Sequence, residues 1–164
     1  MTIESLRYRF RQPLGVPART AFDWCTDFRA EDATLFGDRR HRTLRRVAPD
    51  ALVMTDTTYP EGRPVRIRRL VRLQPETLSW TNTHLDGPYR HSQFWYRIVP
   101  DGPRRCHLDF SGLMLTTRAR RLSDGERAKL ARSYRRSDAS VWRQRLGPAL
   151  EAELRGGRGS RRRR

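Results

Sequence analysis

Arg69 stands in register with Val65, Ile67, Val71 and Leu73, while Arg66, Arg68 and Arg72 take alternate positions. In a strand, that phase puts Arg69 on the apolar face and the other three arginines on the opposite face. A guanidinium among apolar side chains could hold a carboxylate, a phenolate or an enolate and stabilise negative charge developing there. In the next run, Leu78, Trp80, Asn82 and His84 share a face, and in the one after, His91 and Gln93 share a face with Trp95. Two histidines on neighbouring strands, with Asp56 and Asp109 elsewhere, could form an acid–base pair in a pocket. No third ligand stands at a convincing metal spacing, so neither a metal nor another cofactor is expected.

A second group lies near the C-terminal end. At about 100° per residue, Leu130, Tyr134, Val141, Trp142, Leu146 and Leu150 form one drifting apolar stripe. Asp138 and Arg145 fall inside it. Seven residues of helix separate them by about 10.5 Å along the axis, so each needs its own partner. Arg69 is one candidate for Asp138. Either such groups are paired or they line a wet cavity. Tyr134, Trp142, Trp80, Trp95 and Tyr96 are expected to form core or cavity wall.

These side chains need elements to position them. Leu6, Tyr8 and Phe10 alternate with Arg7, Arg9 and Arg11, a strand that Pro13 ends. A helix should begin near Pro17, with Ala18, Ala21, Phe22 and Cys25 as its apolar face. A short helical piece, Ala30 to Phe36, follows, and Gly37 closes it as a C-cap. Strands are then expected near 41–48, 51–59, 64–74, 77–85, 89–99 and 105–116, punctuated by Pro/Gly/Asp turns. Connections this short make consecutive strands antiparallel neighbours. Ser123 with Glu126 reads as a capping box opening a long helix to about Arg155. Pro148 cannot donate to the carbonyl of Gln144, so that helix should kink or break there, helped by Gly147. The fold class is α+β.

This order resembles the helix-grip fold of the START/SRPBCC superfamily, and within it the polyketide cyclase/dehydrase and lipid-transport-like group. The resemblance covers about residues 4–154. It rests on Tyr8-Arg9-Phe10 leading through Val16-Pro17-Ala18 into Ala21-Phe22-Asp23-Trp24, on Trp95 to Gly102 followed by the Cys106–Phe110 strand, and on the closing helix. It implies a curved seven-stranded antiparallel sheet wrapped around the long C-terminal helix, with two short helices between strands 1 and 2. It implies a cavity between sheet and helix that takes a hydrophobic or aromatic small molecule, in a carrier or a cyclase-like enzyme. The expected ligand contacts are Arg69, Trp80, His84, His91, Trp95, Tyr134, Asp138, Trp142 and Arg145. No motif transfers a catalytic position.

Bulk properties set the bounds. The chain has 164 residues and a net charge of +17, with 35 basic and 18 acidic side chains. One domain over 1–154 is expected, followed by a disordered Arg/Gly tail over 155–164. Lys129 is the only lysine, and without the six arginines from Arg155 onward the body keeps +11. An anionic partner, nucleic acid or a membrane surface, could meet the outer arginines and the tail. An Arg-biased composition with solvated charged faces explains the same numbers. Cys25 and Cys106 are too few for a disulfide framework. No apolar run approaches a membrane helix, and residues 1–8 lack a signal-peptide core, so a soluble, cytoplasmic protein is expected.

Overall fold

The computed structural model describes residues 1–36 and 41–156. The expected cap at Gly37 and the tail from 157 onward lie outside the described residues, and Arg155 itself ends a helix. Strand β1 (Thr2–Leu14) leads into α1 (Ala18–Thr26) and a 3₁₀ segment, Ala30–Phe36. Strands β2 (His41–Ala48), β3 (Ala51–Thr58), β4 (Val65–Gln74), β5 (Ser79–His84), β6 (Gln93–Pro100) and β7 (Cys106–Arg118) follow. The chain closes with α2 (Asp124–Val141), a π-helical turn over Trp142–Leu146, and α3 (Gly147–Arg155).

All seven strands form one antiparallel sheet in the order β1-β7-β6-β5-β4-β3-β2. Six consecutive strands meander, and β1 joins beside β7 along 13 paired residues. This is the α+β helix-grip arrangement. Alternation decides the faces. Leu6, Tyr8 and Phe10 of β1 are buried, while Arg7, Arg9 and Arg11 are exposed. The inner face continues through Leu108, Phe110 and Met114 of β7, Phe94 and Ile98 of β6, Trp80 of β5, Val71 of β4, and Leu52 and Met54 of β3.

The closing helix is held unequally along its length. Its start is capped as expected: Ser123 Oγ accepts the Glu126 N–H at 3.3 Å, and Glu126 Oε2 accepts the Ser123 N–H at 2.9 Å. Glu4 of β1 accepts the Leu122 N–H at 2.8 Å, tying the approach to the sheet. Beyond that, α2 has no fully buried residue. By contrast, α3 buries Leu150 completely, and its Glu151 and Glu153 accept the Gly15 N–H and the Trp24 indole N–H at 3.0 and 2.9 Å.

The break expected at Pro148 takes the form of the π turn. The Gly147 N–H bonds the Trp142 carbonyl, one residue further back than in an α-helix. Pro148 then sits in the first turn of α3, where a missing N–H costs nothing. A Cβ on Gly147 would lie 3.0 Å from the Trp142 carbonyl oxygen, so the turn closes this tightly only on glycine.

Gly112 of β7 sets the depth of the inner face. A Cβ there would meet the Tyr8 ring at 3.0 Å and the Phe94 and Phe110 rings at 3.2 Å each. Gly112→Ala is expected to lower unfolding stability by about 1–3 kcal/mol in urea melts, through overpacking against three rings that cannot all retreat.

Candidate functional site

Sheet, closing helix and the segment from α1 to the 3₁₀ turn line an open cavity of about 1060 Å³. Its walls are largely apolar and aromatic: Trp80, Phe94, Tyr96 and Phe110 from the sheet, Tyr134 and Trp142 from the closing helix. Trp80 and Tyr96 stack with centroids 4.8 Å apart, and Tyr96 meets Phe110 edge-on at 5.1 Å. Rings packed this way hold one another's orientation, so the wall is shaped before anything enters.

Polar side chains, Thr58, Asn82 and Ser137 among them, interrupt the wall, and two groups are built around a carboxylate. The first is built on β2–β5. Arg42 lies directly across the ladder from Asp56, and its Nε and Nη2 donate to the two Asp56 oxygens at 2.7 and 3.0 Å. Arg69 Nη1 donates to Asp56 Oδ2 at 2.7 Å, and Arg69 Nε to Nε2 of His84, its cross-strand neighbour, at 3.3 Å. Asp56 is 1% exposed. Burial alone would raise its carboxyl, but the hydrogen bond from Arg42 and the charge of Arg69 outweigh it and hold the group below the usual carboxylate range. Two guanidinium groups share this one carboxylate.

His84 answers to the same corner. Burial, then the charge of Arg69, pushes its imidazole down to about 4, so the ring is neutral at pH 7. Accepting at Nε2 puts its proton on Nδ1, which has no acceptor among the described residues.

The second polar group is on the helix side. The Tyr8 hydroxyl donates to Asp138 Oδ2 at 2.6 Å. Burial raises the Asp138 carboxyl, and the Tyr8 hydrogen bond acts against that rise. Burial and then the Asp138 charge push the Tyr8 hydroxyl far above its ordinary range, so it remains a donor. Tyr134, stacked on Tyr8 at 6.2 Å, is pushed up to about 12 by burial and then by its neighbour Tyr89.

The structure thus brings together six of the nine residues expected at the cavity: Arg69, Trp80, His84, Tyr134, Asp138 and Trp142. Arg69 pairs with Asp56 rather than with Asp138. Three residues lie elsewhere. His91 is exposed in the turn before β6, with a left-handed φ of 69° that ends strand alternation there. Trp95 points to the outer face, because Phe94, Tyr96 and Ile98 take the inner one. Arg145 is exposed, because the wider π turn rotates each residue less than 100° and stops Arg145 short of the inner face. The pattern also understated Asp56 and Tyr8. Asp56 keeps the phase of Leu52 and Met54, the same signal that marks Arg69. Among the described residues, no group of three His, Cys, Asp or Glu side chains could hold a metal ion, and no helix is long and apolar enough to cross a membrane.

Comparison of this architecture with solved structures identifies the fold. The Zhui aromatase/cyclase from Streptomyces sp. R1128 aligns with a TM-score of 0.69 at 13% identity, covering 97% of this chain and all of that one. Norcoclaurine synthase from Thalictrum flavum, in complex with dopamine and hydroxybenzaldehyde, aligns at 0.68 and 11% identity, over 96% of this chain and 91% of that one. A START superfamily protein from Mycobacterium smegmatis aligns at 0.64 and 15% identity, over 89% and 97%. The chain has the START/SRPBCC helix-grip fold. No protein-family model matches its sequence, and no curated protein does.

The neutral state of His84 has a measurable consequence. An unfolded histidine takes up a proton below about pH 6.5 that the folded one refuses until about pH 4. Stability present above pH 6.5 is therefore lost progressively as pH falls toward 4, by up to about 3 kcal/mol. In urea melts between pH 7 and pH 4.5, His84→Gln is expected to lose less stability than the unsubstituted protein.

Proposed function

We propose that this protein binds a hydrophobic, aromatic small molecule in the cavity, either as a carrier or as a polyketide cyclase-like protein. The observation that carries the reading is an aromatic-walled space of about 1060 Å³ in which two polar groups are built around Asp56 and Asp138. Pockets for drug-sized ligands run from about 300 to 1,000 Å³, so there is room for several fused rings or a folded chain. The dopamine and hydroxybenzaldehyde held by norcoclaurine synthase show that the same fold elsewhere accepts aromatic molecules.

The residues divide the work by chemistry. Arg69 spends Nε and one Nη1 hydrogen on His84 and Asp56. Its remaining donors can meet a carbonyl, a phenolate or an enolate. Fixed positive charge in a dry wall favours such an oxygen more as it gains charge, the requirement for stabilising an enolate during ring closure. His84, neutral and weakly basic, serves as a hydrogen-bonding and positioning group rather than a base. Asp138 is the better proton carrier: its carboxyl is raised, and Tyr8 occupies only one of its oxygens. A carrier would use the same groups for orientation alone.

The test uses 8-anilinonaphthalene-1-sulfonate, an aromatic anion whose fluorescence rises on transfer to an apolar site. Saturable binding is expected. Arg69→Gln should weaken it at least tenfold, and Met54→Trp, which fills the cavity from β3, should abolish it. Undiminished binding by a folded Met54→Trp variant would overturn the reading.

A further inference from the structure

Trp95 points away from the cavity and is 40% exposed. Among the described residues, neither an aromatic ring nor a guanidinium stacks on it. An indole left bare in the middle of a sheet is an apolar, planar surface without a protein partner, and the ladder shows what surrounds it.

One row of cross-strand neighbours reads Arg9, Ser111, Trp95, Thr81, Arg72 from β1 to β4. Arg9 and Arg72 each stand two strands from Trp95, about 10 Å to either side. Arg97 lies two residues along the same strand, about 7 Å away. Arg7 stands in the next row, reached through Leu113 and Gln93. These four arginines are exposed and make no ion pair or side-chain hydrogen bond among the described residues. Asp109, the carboxylate opposite Arg97, is already engaged by Arg11 at 3.0 Å. Beside the indole lies a shallow hollow of about 310 Å³, lined by Leu70, Arg72, Thr81, Thr83, Gln93 and Trp95.

From this arrangement we infer that the outer face of the sheet is a binding surface for single-stranded nucleic acid. A base stacks on Trp95 over the hollow, and the flanking phosphates meet Arg7, Arg9, Arg72 and Arg97. The chemistry matches on each count. A base offers a planar face to an indole, and stacking of this kind tolerates any sequence. Thr81, Thr83 and Gln93 offer donors and acceptors to a base edge. Unpaired guanidinium groups suit phosphate oxygens. An anionic membrane would use the charge but not the polar hollow. The surface is separate from the cavity, so it stands or falls independently of the ligand-binding reading.

The test is fluorescence anisotropy with fluorescein-labelled twelve-nucleotide oligo(U) and oligo(dT), using the full chain. Binding of either is expected at low salt. The slope of log affinity against log salt should be at least about −3, as four phosphate contacts on a single strand require. Trp95→Ala should weaken binding at least fivefold with its salt slope unchanged, and Trp95→Phe should retain most of the affinity. Arg9→Gln with Arg72→Gln should make the slope shallower by about 1.4. Thr81→Glu, which sets a carboxylate beside the indole, should weaken binding at least tenfold and serves if Trp95→Ala fails to fold. Three results would overturn the inference: no binding of either oligonucleotide, binding unaffected by both Trp95→Ala and Thr81→Glu in folded protein, or Trp95-dependent binding to phosphatidylserine vesicles but not to oligonucleotides.

Discussion

A single buried carboxylate holds the polar end of the cavity together. Asp56 is almost wholly removed from water and bonds two arginines from the strands on either side of its own. Removing a carboxylate from water is expensive, and only close, hydrogen-bonded cations make it tolerable. Arg42 and Arg69 are fixed in turn by the hydrogen bonds they donate to it. Arg69 so held fixes His84 and adds to burial in suppressing its protonation. The sheet thereby presents one positive and one neutral hydrogen-bonding group at set positions. A ligand does not have to organise them, and organisation in advance of binding is what makes such groups effective.

The two sides of the cavity are built to different tolerances. The sheet side is a continuous ladder with interlocked rings. The helix side is anchored at its ends, by the capping box and Glu4 at one and by Leu150, Glu151 and Glu153 at the other. Between them, α2 buries none of its residues fully; Leu130, Ala131, Tyr134, Ala139 and Val141 pack part-buried on the core, and Asp138 accepts from Tyr8.

Much of this was legible in the sequence wherever alternation could be followed without a break. Arg69, Trp80 and His84 were placed on the correct face because their strands keep strict period two. Pro and Gly turns placed most strand boundaries within two residues, but β1 runs through Pro13 to Leu14, and β6 begins at Gln93 rather than near 89. Trp95 was misplaced because Phe94-Trp95-Tyr96 offers aromatic residues on both phases. The neighbours two away decide it: Gln93 and Arg97 are polar, whereas Ile98 shares the phase of Phe94 and Tyr96. His91 failed because a left-handed residue at the end of a turn has no strand phase. The Asp56 pairing was beyond one-dimensional reading, since the registers of β2 on β3, β3 on β4 and β4 on β5 together bring Arg42, Arg69 and His84 to one point.

Arg145 failed for a different reason: the winding of the helix is not uniform. The π turn accommodates one more residue than an α-helical turn would, and Gly147 leaves space for it. Everything on the N-terminal side, including Tyr134 and Asp138, is rotated relative to the firmly packed α3 by that extra residue. The side chains facing the cavity are thus selected by a count as well as by identity. Gain or loss of one residue at this turn would change the set offered by α2 while α3 keeps its own packing. A chain of this architecture can therefore change what it recognises through its helical phase, with no substitution in the wall itself.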